Sequence, residues 1–148
     1  MKPKICIITG TRAEFGLLKP LMEKIDRDQD FILQIIATGT HLSTQYGYTF
    51  KEIEEEGFIV DYKVEMLSST TERISISKSV GLGTIGFTEA FDKLKPNLIL
   101  LLGDRYELLS AASADLMIGI AIGNIHGGEL TEGAFDDAIR HSVTKMSH

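Results

Sequence analysis

The chain has 148 residues, 43% of them hydrophobic and 24% charged, with 21 acidic against 15 basic side chains and a formal net charge of -6. That length suits one domain, residues 1–148, around a single core, and the composition excludes a disordered or fibrous chain. The acidic balance leaves no broad positive field for a phosphate backbone, so no nucleic-acid partner is expected and any anionic ligand must be held by a few placed Arg, Lys or backbone N–H groups.

The first run, "KICIIT" from Lys4, reads as a buried strand, and its Cys6 as a small buried hydrophobe. The apolar core of this run is too short for a signal peptide or a membrane span, so a cytoplasmic protein with no membrane partner is expected. "TGTRAEFG" follows. Its glycines fit neither a dinucleotide fingerprint nor a P-loop, and Thr11 reads as a helix cap. Arg12 at that helix N-terminus opposes the macrodipole unless an anion sits beside it, which favours anion binding. From Glu14 to Arg27, Leu17, Leu18, Leu21, Met22 and Ile25 recur at helical spacing and predict one buried stripe.

"FILQIIAT" from Phe31 is a second buried strand, and "TGTHLS" after it carries His41, a residue type that in a loop is more often structural than functional. A helix is expected from Tyr46 to Glu56, ended by Gly57, and then a weaker, edge-like strand "FIVDYKV" from Phe58, because Asp61 and Lys63 interrupt it. In "SSTTERISISKSVGLGTIGF" the positions Ile76, Val80, Phe87, Phe91 and Leu94 fit one helical face, so a polar loop and then a helix are expected. Gly81, Gly83 and Gly86 weigh against it, each costing about 1 kcal/mol relative to Ala.

"NLILLLG" from Asn97 is a third buried strand, "GDRYE" leaves it, and "ELLSAASADLM" reads as a closely packing helix. Asp104 fits a helix cap, an acid–base group or a ligand for sugar hydroxyls. "IGIAIGNI" from Ile118 is the last strand. It runs into "NIHGGELTEG", where Gly127 and Gly128 separate His126 from Glu129 and allow close approach of a ligand to the backbone. In a final helix Asp136 and Arg140 share one face and Asp137 and His141 the next, the ordinary reading being solvated i, i+4 pairs.

Alternating strands and helices with near-continuous apolar strands imply α/β architecture: a doubly wound, Rossmann-like parallel sheet in three α/β/α layers, with strand order 3-2-1-4-5. Ligands bind such sheets at the carboxyl ends of the strands where connections diverge. There the loops gather Arg12, Glu14, His41, Asp104, Arg105, Glu107, His126, Glu129 and Glu132. A metal site ranks well below an organic acid–base role, because Asp137 and His141 lack the H-E-x-x-H pattern.

Together "TGTRAEFGLLKPL", "GDRYE" and "HGGELTEGAFDDAIRHSVTKMSH" resemble the hydrolysing UDP-N-acetylglucosamine 2-epimerases of bacterial sialic acid and related nonulosonate pathways. The resemblance implies a glycosyltransferase-B-type fold of two Rossmann-like domains, with this chain the N-terminal one. It implies a nucleotide-sugar (UDP-sugar) substrate, no metal or nicotinamide cofactor, and a homo-oligomer, dimer or tetramer. It implies loss of the C2 proton, departure of UDP to leave a 2-acetamidoglucal, and addition of water to give N-acetylmannosamine. Asp104 and Asp136 match acidic active-site residues, Arg12 an arginine near the phosphates, Arg105 and Arg140 further arginines, and His41 a histidine of the strand-2 loop. Glu14 and His141 lie within matched motifs and join the substrate-binding set. His126 stands where animal and non-hydrolysing relatives carry glutamate, so the role at that strand falls to His126 or Glu129; Asn124 replaces a histidine. Alternatives are a UDP- or GDP-diacetamido-sugar epimerase, a glycosyltransferase of the same fold, and a non-catalytic flavodoxin-like binding domain.

Overall fold

The computed structural model describes residues 1–66, 72–125 and 136–148, without the side chains of residues 136 and 137. The five strands are β1 (Lys4–Thr9), β2 (Ile32–Thr38), β3 (Tyr62–Val64), β4 (Leu98–Leu102) and β5 (Ala121–Ile125). They form one sheet in the order β3-β2-β1-β4-β5, every neighbouring pair parallel. Helices α1 (Arg12–Arg27), α2 (Phe50–Glu55), α3 (Arg73–Leu94), α4 (Tyr106–Ile118) and α5 (Asp136–Met146) connect and follow them. This is the expected doubly wound, Rossmann-like α/β fold.

Alternation along β1 divides the core between two faces, as a period of two requires. Ile5 and Ile7 join Phe15, Leu18, Met22 and Ile53 under α1 and α2. Cys6 and Ile8 join Phe87, Phe91, Leu108 and Val143 under α3, α4 and α5. Cys6 is fully buried, and burial raises its thiol pKa, as expected of a packing cysteine.

Four local expectations are corrected. Leu17 is 72% exposed and the buried stripe of α1 runs through Phe15, Leu18, Met22 and Ile25. Packing of α1 on the sheet face of Ile5, Ile7 and Ile35 turns the Leu18 row inward and leaves Leu17, one residue away, in solvent. The helix expected from Tyr46 starts at Phe50, because Gly47 and Tyr48 both take positive φ (79° and 50°) and break it from the 3-10 turn at Thr44–Tyr46. The third strand covers only Tyr62–Val64, while Phe58 turns into the core with α1. The last strand starts at Ala121, since α4 runs on to Ile118 and ends at Gly119 in the left-handed region. Asp115 fixes that stop by accepting the Ile120 N–H at 2.9 Å.

The long α3 forms despite its glycines. Gly83 and Gly86 lie where a Cβ would come within 2.9 Å of Ser110 Oγ and 2.7 Å of Val64 Cγ1, so they let α3 settle onto α4 and β3. Burying Phe87 and Phe91 is worth about 1.5–3 kcal/mol each, enough to outweigh roughly 1 kcal/mol of helix propensity per glycine. Among the described residues no helix is long and apolar enough to cross a membrane.

Candidate functional site

Parallel strands send their following loops to one edge, and a hydrogen-bonded set of polar residues collects there. Leaving β1, the Thr11 hydroxyl accepts the Glu14 N–H at 3.1 Å, while Glu14 Oε1 accepts the Gly10 N–H at 2.9 Å. The pair is a reciprocal cap displaced by one residue, and it draws the Glu14 carboxyl inward. Burial pushes Glu14 up to about 7; the Gly10 N–H works against this and the nearby Glu107 carboxylate adds to it.

The β2 loop is bound to the same place. Thr40 donates to the Gly10 carbonyl from its N–H (2.9 Å) and its hydroxyl (3.1 Å). His41 is fully buried, with Nε2 at 2.9 Å from Thr9 Oγ1 and Nδ1 at 2.8 Å from Thr49 Oγ1. Since the Thr9 hydroxyl donates to the Thr11 carbonyl, the network is satisfied by His41 with its proton on Nε2. Burial lowers its pKa to about 4, so the ring is neutral at physiological pH. In this enclosed position His41 anchors the loop rather than facing the crevice.

The β4 loop turns out of the sheet at Gly103, φ 95°. Asp104 is not the cap of α4. Arg105 occupies that position with no side-chain cap, and the Asp104 carboxylate instead accepts a 2.7 Å hydrogen bond from Arg140 Nη2 of α5. Arg140 is buried and Asp104 partly exposed. Arg105 turns the other way, to Glu107: Nε lies 3.3 and 3.2 Å from the two carboxylate oxygens and Nη2 3.2 Å from Oε1. Burial works against the Arg105 charge, but Glu107 overrides it and the pKa is raised. Between the N-terminal turns of α3, α4 and α5 a mostly apolar cavity of about 500 Å3 opens, lined among others by Arg73, Ile76, Val80, Tyr106, Leu109 and Ile139.

Of the residues singled out in the sequence, Glu14, Arg105, Asp104 and Arg140 sit at this edge. Arg12 is exposed and pairs at 3.0 Å with Glu52 of α2, so a protein carboxylate answers the positive charge at that helix terminus. His141 is exposed on α5. His126, Glu129, Glu132 and the polar loop before α3 lie outside the described residues, as does the Asp136 side chain. Sequence reasoning gave no part to Thr9, Thr49 or the burial of Glu107; the one available signal for Glu107 was a carboxylate two residues beyond Arg105 at the start of an apolar helix. Among the described residues no group of three or more His, Cys, Asp or Glu side chains gathers as a metal ion requires.

A doubly wound parallel sheet places its ligand crevice outside the carboxyl ends of the strands, the edge at which these carboxylates and arginines lie. The chain belongs to the UDP-N-acetylglucosamine 2-epimerase family, whose model matches residues 23–148. It is 51% identical over 147 residues to the GDP/UDP-N,N'-diacetylbacillosamine 2-epimerase (hydrolyzing) of Campylobacter jejuni, covering 99% of this chain and 38% of that protein. It is 37% identical to the UDP-N,N'-diacetylbacillosamine 2-epimerase (hydrolyzing) of Legionella pneumophila, covering 98% of this chain and 38% of that one. The fold also matches the crystal structure of the Neisseria meningitidis UDP-GlcNAc 2-epimerase bound to UDP-GlcNAc, with TM-score 0.81 and 18% identity over 97% of this chain and 39% of that one. The chain thus spans well under half the length of the relatives it matches.

Proposed function

We propose that this chain is the N-terminal, acid–base half of a two-domain hydrolysing nucleotide-sugar 2-epimerase. The observation that carries the reading is the Asp104–Arg140 pair at the carboxyl edge of the sheet, in the loop where the family's acidic motif falls. In this reading a base drawn from Asp104, His126, Glu129 and Asp136 takes the C2 proton. The C–H electrons form the C1–C2 double bond, the C1–O bond breaks, and its electrons leave on UDP. Water then adds, its hydroxyl to C1 and a proton to C2 from the opposite face, giving the 2-epimeric free sugar. Such steps require positioned acids and bases and cations for the departing diphosphate. Arg12, Arg105 and Arg140 are the arginines for anion binding and orientation; Glu14, His41 and His141 complete the substrate-binding set, His41 through the loop it anchors.

The sugar we favour carries two acetylated amines. The Campylobacter jejuni and Legionella pneumophila relatives are named for that substrate, while a Neisseria meningitidis relative at 36% identity is named UDP-N-acetylglucosamine 2-epimerase; the apolar cavity beside Tyr106 suits acetyl methyl groups better than hydroxyls. UDP-N-acetylglucosamine, giving N-acetylmannosamine, is the comparison substrate. The assay uses the intact protein with both UDP-sugars in heavy water. Free sugar carrying deuterium at C2 together with UDP is expected, and sugar without deuterium would sink the elimination mechanism. Asp104→Asn should lower kcat by about 100-fold or more. Residues 1–148 alone should show no turnover, because the nucleotide grip is expected from the second domain.

A further inference from the structure

We propose that Glu107 is a positioning residue for Arg105: its buried carboxylate fixes the guanidinium at the carboxyl edge of the sheet so that the remaining N–H groups meet the diphosphate of a nucleotide sugar. The identity of that anion rests on the function proposed above; the positioning does not.

Glu107 is 1% exposed, far from the solvated position a first-turn carboxylate takes when it serves only the helix dipole. It binds backwards to Arg105, engaging Nε and Nη2 and leaving Nη1 outside the pair. Its seat is built by two other loops. A Cβ on Gly39 would fall 2.5 Å from Glu107 Oε1, and one on Gly10 would fall 3.6 Å from it, so the β2 loop in particular has no side chain to displace the carboxylate. Gly39 also has φ +60°, the left-handed region. Glu107 on the first turn of α4 and the bare Gly39 of the β2 loop therefore converge to hold one guanidinium.

The physical advantage is preorganisation. A free arginine side chain loses roughly 2 kcal/mol of rotamer freedom when it clamps a ligand, and an arginine already pinned through one edge loses less. Because Glu107 also neutralises the guanidinium, binding by the pair depends on the direction of the remaining N–H groups more than on charge. A ligand of matched geometry is thereby favoured over anions in general.

The test compares wild type, Glu107→Gln, Arg105→Gln and the double variant in the intact protein. Glu107→Gln keeps the shape and removes the charge. The KM for the nucleotide sugar should rise about tenfold, the size of one misplaced charge-assisted hydrogen bond, with kcat changed less than about threefold. The double variant should bind no worse than Arg105→Gln alone. Additive effects on KM, or an unchanged KM with only a lower melting temperature, would overturn the proposal. A readout independent of turnover is the Arg105 Nε–H resonance by 15N NMR, expected to be slow to exchange in wild type and fast in Glu107→Gln. Equal exchange in both overturns the positioning. If the intact protein turns over no nucleotide sugar while this resonance behaves as expected, the functional reading falls and the positioning stands.

Discussion

Arg140 Nη2 and the Asp104 carboxylate meet at 2.7 Å across 36 residues of chain, joining the loop after β4 to helix α5. The contact holds the one described carboxylate of the proposed acid–base set in place from a helix whose own first residue, Asp136, belongs to the same set.

Replacing Arg140 with Ala should therefore do two things. It leaves Asp104 without this partner and opens space under α5, for a loss of about 2–4 kcal/mol in urea denaturation of the chain. Arg140→Lys should keep part of that, since it retains a charge but not the guanidinium fork. A loss below about 0.5 kcal/mol for the Ala variant would show that the pair behaves as an ordinary surface contact.

Glu14 and His41 give opposite pH signatures. Glu14 is raised to about 7 from 4.5, so its contribution to stability is full below pH 4.5 and is lost as pH rises toward 7. His41 is lowered to about 4 from 6.5, so its contribution is full above pH 6.5 and is lost as pH falls toward 4. Glu14→Gln should flatten the decline on the way to neutrality, and His41→Gln the decline on acidification. Denaturation midpoints between pH 4 and pH 8 check both, and the same slope in a variant as in wild type would refute its assignment.

Two glycines separate backbone conformation from packing. Gly47 (φ +79°) has open space around it, whereas a Cβ on Gly39 would also lie 2.8 Å from the Gly10 carbonyl oxygen. Gly47→Ala should cost about 1–2 kcal/mol by conformation alone. Gly39→Ala should cost more and weaken the Arg105 geometry. Equal losses would mean that Glu107 and the Gly10 carbonyl both move aside freely.

Helix α3 offers a matched pair. Gly81 meets nothing within 4 Å, and Gly81→Ala should stabilise by up to about 1 kcal/mol. Gly83 faces Ser110 and Met66, and Gly83→Ala should destabilise despite the same gain in propensity. Thermal unfolding of the two variants would settle the sign.

Strand identity was readable because burial on both faces leaves short, near-continuous apolar runs, and "KICIIT" and "NLILLLG" are of strand length, aliphatic and closed by Gly or polar residues. The sheet order followed from the chirality of crossovers rather than from any residue. Helix phase was less legible: Leu17 and Leu18 look alike in sequence, and only the packing of α1 against the sheet decides which faces inward. The site was legible as a set of loops but not as a set of contacts. Nothing in "GDRYE" distinguishes an Asp104 that caps from one that reaches a distant arginine, and the burial of His41 depends on Thr9 and Thr49, which no local pattern marks.

The glycines of α3 also bear on when this helix forms. A segment with three glycines in six residues, Gly81, Gly83 and Gly86, has little intrinsic tendency to coil up alone. Its helicity depends on tertiary packing: Phe87 and Phe91 are buried in the core, and Gly86 and Gly83 lie close to Val64 and Ser110, 22 and 27 residues away in the chain. A peptide spanning α3 should accordingly be mostly unstructured in water, and in the folding chain its turns should lock only after β3 and α4 have assembled. The cavity wall formed by Arg73, Ile76 and Val80 should therefore take shape only once those contacts are made.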